Sequence, residues 1–228
     1  MICIQHKDNI ALITKEKPYK YADLFNKINQ FAGLFDNKNY SKVAIHSENR
    51  EEWVFSFYAA WKNNCTVVPV DFLSSPDDIA YILNDCKPDL VFYSGQTREK
   101  VEALKETLDF NLELVNFDDI VLPEAQDSFE WDVPKNADET AVIIYTSGTT
   151  GSPKGVMLTY ANLLANVNAV SNEVKIFTAN RQVLMLLPMH HIFPLAGSMV
   201  APLAVGGTVV MTPSMQSSDI LETLKKIR

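Results

Sequence analysis

Residues 145–156 read Tyr-Thr-Ser-Gly-Thr-Thr-Gly-Ser-Pro-Lys-Gly-Val. An apolar run lies on each side of the small residues in this segment, over Ala141–Tyr145 and Gly155–Leu158. Two short apolar runs joined by a segment rich in glycine and serine predict a β-hairpin. Three glycines, five hydroxyl side chains and one lysine are therefore expected at the tip of that hairpin.

Each residue type in the predicted tip suits a phosphate ligand. The glycines can take positive φ, so that successive N–H groups point inward and form an anion nest. The hydroxyl groups are further donors, and Lys154 supplies a positive charge. We predict that the tip binds polyphosphate; the other interpretation of such a composition is a flexible linker. The candidate ligands are Thr146, Ser147, Gly148, Thr149, Thr150, Gly151, Lys154 and Gly155.

The spacing in this segment excludes two common nucleotide-binding motifs. A P-loop has the pattern Gly-x-x-x-x-Gly-Lys-Ser/Thr and leads directly into a helix. Here the residues after Lys154 predict a strand instead. No Gly-x-Gly-x-x-Gly pattern occurs in the chain. A Walker-type NTPase and a Rossmann dehydrogenase are therefore poor fits.

Upstream of the hairpin, strand and helix patterns alternate, which predicts a parallel sheet covered by helices. An acidic, proline-containing stretch, Val121–Asn136, follows these patterns and predicts a boundary between two α/β subdomains, over 1–133 and 134–228. The predicted helices cover 21–35, 51–62, 76–84 and a stretch from residue 96, and the predicted strands cover 43–45, 66–70, 90–93 and 112–117.

Downstream of the hairpin, Thr159 is placed to cap a helix. Strands are predicted over 183–187 and 208–211, with a loop and a short broken helix between them. The expected buried stripe of the capped helix consists of Leu163, Val167, Val170 and Val174.

The last predicted helix begins near Ser218 and carries an apolar stripe of Ile220, Leu224 and Ile227. No glycine or asparagine ends this helix, and a helix in an alternating α/β chain should return to a strand. We therefore expect that the chain is incomplete. We also expect self-association, because this face and the strands that lack partners would be exposed.

Composition restricts the class of protein. The chain has 228 residues, 47% of them hydrophobic, which is enough for one large or two small domains. A net charge of −8 without a basic stripe predicts no nucleic-acid partner. Three cysteines without a Cys-x-x-Cys pair, and no signal peptide, predict a cytoplasmic protein. The uncharged stretch Gln182–Ser218 is interrupted by proline and glycine, so we expect no transmembrane helix.

A second candidate site is His190-His191-Ile192-Phe193. The other interpretation is a pair of loop histidines that are hydrogen-bonded to backbone groups. Adjacent side chains on an extended chain point in opposite directions, so we expect no metal site that uses both histidines.

The segment Tyr145–Val156 closely resembles the phosphate-loop signature of the adenylate-forming superfamily, which includes acyl-CoA synthetases, nonribosomal adenylation domains and firefly-type luciferases. Further similar segments are Tyr21–Leu24, Val43–Pro69, Tyr81–Asp85 and Leu187–Phe193. We interpret Asn49-Arg50 and Trp53, which also match, as a capped helix start with a buried tryptophan. The resemblance implies an incomplete N-terminal domain of an acyl-CoA synthetase-like α/β fold.

The resemblance also implies a reaction. Thr146–Gly155 would hold the β- and γ-phosphates of ATP with Mg²⁺, while a carboxylate attacks the α-phosphate. The acyl-adenylate would then react with coenzyme A to give a thioester. His190, His191 and Phe193 would line the acyl pocket, with His191 as the motif histidine. The similarity of the run Leu187–Pro194 to fatty-acyl ligases implies a fatty-acid substrate.

Some parts of the superfamily pattern are absent from this sequence. These are the Tyr-Gly-x-Thr-Glu segment, the Thr-Gly-Asp segment and the C-terminal domain with its adenylation lysine. We therefore assign no catalytic residue and no metal ligand, and we expect the isolated chain to be inactive. Two alternatives stay open: an adenylation domain for an amino acid or aryl acid, and a non-catalytic phosphate-binding or interaction module.

Overall fold

The structure is a computed structural model that describes residues 8–105, 107–124, 136–146 and 153–226. No helix in these ranges is long and apolar enough to cross a membrane. The strands, in chain order, are β1 (Ile10–Ile13), β2 (Pro18–Lys20), β3 (Lys42–His46), β4 (Thr66–Val70), β5 (Leu90–Tyr93), β6 (Glu113–Asn116), β7 (Thr140–Thr146), β8 (Lys154–Thr159), β9 (Gln182–Met185) and β10 (Thr208–Met211). The helices are α1 (Tyr21–Ala32), α2 (Glu51–Lys62), α3 (Pro76–Cys86), α4 (Arg98–Lys105), α5 (Tyr160–Asn168), α6 (Ile192–Pro194), α7 (Ala201–Ala204) and α8 (Ser217–Lys226).

The chain divides into two compact units. The contiguous unit is Asn26–Asn162, and the split unit combines Met1–Phe25 with Leu163–Arg228. Both divisions fall inside helices, the first within α1 and the second within α5.

The contiguous unit contains a six-stranded sheet in the order β6-β5-β3-β4-β7-β8. The first five strands are parallel, and β8 is antiparallel to β7. The predicted α/β class, the parallel sheet with its helices and the β7–β8 hairpin are therefore confirmed. Strand β8 lies at the edge of this sheet, where it presents backbone groups that no further described strand pairs.

The two units differ from the predicted subdomains 1–133 and 134–228. The predicted boundary lies among residues 125–135, which are outside the described residues. In the structure β7 pairs with β4 through Val67 and Val142, so the hairpin belongs to the same sheet as the upstream strands. Periodicity predicts the kind of each element, but it does not show which strand lies beside which.

Helix α2 supplies much of the core of the contiguous unit. Every residue from Trp53 to Trp61 is buried, so the helix is apolar on all sides, as expected for a helix enclosed by other elements. The rings of Trp53 and Phe57 stack at a centroid distance of 5.4 Å. The ring centroids of Phe57 and Trp61 are 4.4 Å apart. Aromatic groups of this size contribute a large part of core stability.

The split unit contains a four-stranded sheet in the order β2-β1-β10-β9. Strands β1, β10 and β9 are parallel, and β2 is antiparallel to β1. The buried hydroxyl of Tyr21 donates to the carbonyl oxygen of Gly207 at 2.7 Å. A Cβ atom at Gly207 would lie 3.1–3.2 Å from three carbonyl oxygens, so a larger residue would fit this turn only if the backbone shifted.

The stripe predicted for the helix after Thr159 is only partly correct. Thr159 does cap α5, because its hydroxyl accepts a hydrogen bond from the N–H of Asn162 at 3.2 Å. Leu163 is buried, but Val174 is 66% exposed. A π-helical turn, Ala169–Glu173, follows α5, and the N–H of Val174 donates to the carbonyl of Ala169. The wider turn changes the angular spacing, so a stripe drawn at 3.6 residues per turn fails at Val174, after this turn.

Candidate functional site

The hairpin brings Thr146 and Lys154 together. In the antiparallel β7–β8 pair, Thr146 is opposite Lys154, and this is the last pair before the tip. Both residues are exposed. A hydroxyl donor and an ammonium group at one end of a hydrogen-bonded ladder can together contact an anion such as phosphate. Of the other predicted tip ligands, Ser147, Gly148, Thr149, Thr150 and Gly151 lie outside the described residues.

Gly155 lies in a strand, and its role as a phosphate ligand stays a prediction. We expected it to take positive φ, but it lies in the extended strand β8, opposite Tyr145, and Gly206 is the glycine with positive φ among the described residues. A Cβ atom at Gly155 would lie 3.0 Å from Cγ2 of Ile143 and 3.2 Å from Cζ of Tyr145. A larger residue here would push the Ile143 and Tyr145 side chains aside by a few tenths of an ångström.

Side chains from the core fix the start of β7. The register of the hairpin shifts between Thr140 and Val142, which makes Ala141 the extra residue of a β-bulge. The indole N–H of Trp61 donates to the carbonyl of Ala141 at 3.0 Å. The hydroxyl of Thr66 donates to the carbonyl of Thr140 at 2.8 Å. The hairpin is thus tied to α2 and β4 at the point where its regular ladder is interrupted.

His190 and His191 do not point in opposite directions, so that prediction is wrong. Their ring centroids are 4.1 Å apart, and the two Nε2 atoms lie 3.1 Å from each other. The reason is a turn, because the N–H of His191 donates to the carbonyl of Pro188, so the chain is not extended here. His190 is buried and His191 is exposed. Among the described residues, no group of three His, Cys, Asp or Glu side chains is placed to hold a metal ion.

The apolar member of this second candidate site, Phe193, lies at the start of the helical stretch after β9. It is 73% exposed, and Leu187 and Ile192 nearby in sequence are also exposed. The histidines and Phe193 all belong to the split unit, whereas the hairpin belongs to the contiguous unit.

Arg50 is the centre of an ion-pair cluster that sequence reasoning missed. We predicted a capped helix start at Asn49-Arg50, but Arg50 is the residue before α2 and makes no side-chain cap. Its guanidinium instead donates to Glu52 and Asp118, each at 2.7 Å. This contact lowers the pKa of the Asp118 carboxyl. The cluster lies at the carboxyl ends of β3 and β6. Arg50 and Asp118 are 68 positions apart, so local spacing in the sequence does not indicate that they pair.

The AMP-binding enzyme family matches residues 3–228 of the chain. The chain belongs to this family. The family match thus includes Thr146, Lys154 and the predicted tip ligands that lie outside the described residues.

Relatives of this chain include CoA ligases. A mitochondrial malonate–CoA ligase of Xenopus laevis is 27% identical over 222 residues, which covers 90% of this chain and 37% of that protein. A sulfoacetate–CoA ligase of Cupriavidus necator is 36% identical over 182 residues, covering 77% of this chain and 35% of that protein. The chain thus spans little more than a third of the length of these relatives.

Solved structures agree on the fold. ATP-bound MatB from Rhodopseudomonas palustris superposes with a TM-score of 0.84 at 22% sequence identity. The match covers 98% of this chain and 46% of that protein. o-Succinylbenzoate CoA synthetase from Bacillus subtilis superposes with a TM-score of 0.81 at 23% identity, covering 97% of this chain and 57% of that protein. The expected acyl-CoA synthetase-like α/β fold is therefore confirmed.

Proposed function

We propose that this chain is the N-terminal part of an ATP-dependent acid–thiol ligase that forms an acyl-adenylate and then a CoA thioester. The observation that carries the proposal is the last pair of the β7–β8 ladder, which places Thr146 opposite Lys154 at the base of the phosphate-loop signature. We use the term "complete ligase" for a protein that joins this chain to the remaining part that its relatives have.

The described residues of the hairpin fit the phosphates of ATP. Lys154 has a flexible, positively charged side chain next to the tip, and Thr146 has a hydroxyl donor on the facing strand. Mg²⁺ would neutralise charge on the phosphates when it is bound. In this proposal Lys154 and Thr146 bind the β- and γ-phosphates, and the remaining part of the complete ligase supplies the metal ligand and most of the CoA site.

The reaction would proceed in two steps. A carboxylate oxygen attacks the α-phosphorus of ATP, so an acyl–phosphate bond forms, the bond to the β-phosphate breaks, and pyrophosphate leaves. The thiolate of CoA then attacks the acyl carbon, a thioester forms, and AMP leaves. Negative charge builds on the departing pyrophosphate in the first step, and positioned donors such as Lys154 stabilise it.

We propose a fatty acid as the substrate, because Phe193, Ile192 and Leu187 place exposed apolar side chains close in sequence to His191. A second candidate is a short acid with a second negative group. Malonate and sulfoacetate, the substrates in the names of two relatives, are of this kind. The adjacent imidazoles of His190 and His191 favour it, because they could donate a hydrogen bond to such a group. The predicted cytoplasmic location stays a prediction.

The test is carboxylate-dependent exchange of labelled pyrophosphate into ATP. We expect exchange by the complete ligase with one class of acid. We expect none above background by the 228-residue chain, because its sequence does not contain the Tyr-Gly-x-Thr-Glu segment or the adenylation lysine of the superfamily. The panel contains octanoate, palmitate, malonate, sulfoacetate, benzoate and several amino acids.

The panel also separates the candidates. Preference for malonate or sulfoacetate would favour the second candidate, and preference for an amino acid or benzoate would contradict both. Exchange by the 228-residue chain above a Lys154→Ala control would contradict the proposed inactivity. If the complete ligase exchanges pyrophosphate with no acid, the ligase function itself is wrong.

We also propose that the 228-residue chain self-associates through the apolar face of α8. Leu221 and Leu224 on this helix are exposed and Ile220 is half-buried, while Ile227 lies outside the described residues. We expect the weight-average mass in light scattering to rise with protein concentration, because exposed apolar surface associates in water.

A double variant tests this surface directly. Replacing Leu221 and Leu224 with lysine should restore a monomer, whereas lysine at the exposed Val121 of the contiguous unit should leave the association unchanged. A wild-type chain that stays monomeric at high concentration would contradict the proposal.

A further inference from the structure

Tyr145 occupies a special place in the hairpin. It is the next-to-last residue of β7, opposite Gly155, and the adjacent pair towards the tip is Thr146 with Lys154. The tyrosine ring covers Gly155, because a Cβ atom there would lie 3.2 Å from Cζ and 3.4 Å from Cε1 of the ring. A cross-strand aromatic ring over a glycine compensates for the missing side chain of an edge strand. Tyr145 thus packs against the strand that carries Lys154.

The hydroxyl of Tyr145 connects the hairpin to a helix. It donates to Oδ2 of Asp85, the next-to-last residue of α3, at 2.5 Å. A carboxylate in the last turn of a helix is unfavourable for the helix dipole, so α3 gains nothing from an aspartate at this position. The ring also packs against the buried cluster that includes Cys86, Ile82 and Val70. Burial raises the pKa of the Tyr145 phenol, and the hydrogen bond to Asp85 raises it further.

The direction of Lys154 depends on the register of β8. Successive side chains of a strand point to opposite faces, so a slip of one residue would turn Lys154 to the other side of the sheet. Strand β8 is exposed from Lys154 to Met157 and has β7 as its partner in the described sheet, so burial does little to fix its register near the tip. The contacts of Tyr145 with Gly155 and Asp85 lie at this weakly held end.

We propose that Tyr145 is a positioning residue of the phosphate site, which rests on the function proposed above. Its ring holds Gly155, and its hydroxyl anchors β7 to α3 through Asp85. Together these contacts keep Lys154 and Thr146 opposite each other and directed at the phosphates. Tyr145 itself need not touch ATP.

The first test measures amide hydrogen exchange in the 228-residue chain. Tyr145→Phe keeps the ring and removes the hydroxyl, and we expect the β8 amides near Gly155 to exchange about tenfold faster, as a lost hydrogen bond would produce. Asp85→Ala should have the same effect. The double variant Tyr145→Phe/Asp85→Ala should exchange its β8 amides no faster than either single variant, because both changes remove the same hydrogen bond. Asp85→Asn keeps an acceptor oxygen and should stay close to wild type.

The chain offers a matched control for this test. The hydroxyl of Tyr93 on β5 donates to Glu102 on α4 at 2.7 Å, which is also a phenol–carboxylate bond between a strand and a helix of the contiguous unit. Tyr93→Phe should leave the β8 amides unchanged. If Tyr93→Phe and Tyr145→Phe change β8 exchange equally, or if neither changes it, the register role is wrong.

The second test uses the complete ligase. Tyr145→Phe should lower kcat/KM for MgATP about tenfold with less than a twofold change in the KM of the acid, and Asp85→Asn, which keeps an acceptor oxygen, should stay close to wild type. An equal effect on all substrates, or no effect on any, would overturn the positioning role. If wild-type complete ligase shows no exchange, the proposed function fails, while amide exchange still decides whether Tyr145 holds the register.

Discussion

Replacing Lys154 with alanine in the complete ligase should slow ATP–pyrophosphate exchange by about 10²–10³-fold, the usual cost of removing one positioned donor to a developing negative charge. Lys154 is held on a strand at the last pair of a ladder, opposite Thr146, so its charge is placed before the reaction begins. The measurement is the initial rate of label transfer at saturating acid and MgATP.

Two further variants make this result specific. Lys154→Arg keeps the charge with a different shape and should recover part of the rate. Lys20→Ala removes an exposed lysine of β2, which is outside the hairpin, and should stay within about twofold of wild type, as expected for an ordinary surface change. A Lys154→Ala enzyme that keeps more than about a third of the wild-type rate would show that Lys154 does not bind the phosphates.

The second large effect is on stability. Trp61→Ala should lower the free energy of unfolding of the 228-residue chain by about 3–5 kcal/mol, the range for removing a large buried aromatic group. Trp61 is buried, packs against Phe57 and Tyr160, and donates to the carbonyl of Ala141. Its loss would leave both a cavity and an unpaired carbonyl. Urea denaturation followed by far-UV circular dichroism measures the change without relying on tryptophan fluorescence.

Trp61→Phe and Leu73→Ala are the controls for that measurement. Phenylalanine fills most of the space but does not donate to the Ala141 carbonyl, so we expect the free energy of unfolding to fall by about 1–3 kcal/mol. Leu73 is exposed, so its truncation should change stability by less than about 0.5 kcal/mol. If Trp61→Ala costs no more than Leu73→Ala, the tie between α2 and the hairpin is unimportant for stability.

The kinds of secondary structure could be predicted from the sequence because each follows from local periodicity. Helix α2 and strand β4 have the predicted bounds, 51–62 and 66–70. The prediction fails where the local period changes. The π-helical turn after α5 leaves Val174 exposed, and the turn at Pro188 brings two histidine rings together that an extended chain would separate.

Pairing over long distances could not be predicted at all. The ion pair of Arg50 with Asp118 and the hydrogen bond of Tyr145 with Asp85 join residues 68 and 60 positions apart. Tyr145, Asp85 and Arg50 lie in segments that resemble the superfamily, but nothing in the local pattern of either partner indicates the other. The type of chemistry at the hairpin could be predicted because the residues that carry it are contiguous in sequence. The side chains that hold the hairpin in place are far apart in sequence, so they could not be predicted.

The split unit also sets the order in which the protein can form on the ribosome. The hydroxyl of Thr208 donates to the carbonyl of Ile10, and these two residues are 198 positions apart. By contrast, all strands of the six-stranded sheet have been synthesised once Thr159 is made. The β1–β2 ribbon must therefore wait with an open edge until β10 emerges, and contacts of such large separation form slowly. During translation, β1 therefore presents an edge that could pair with another chain.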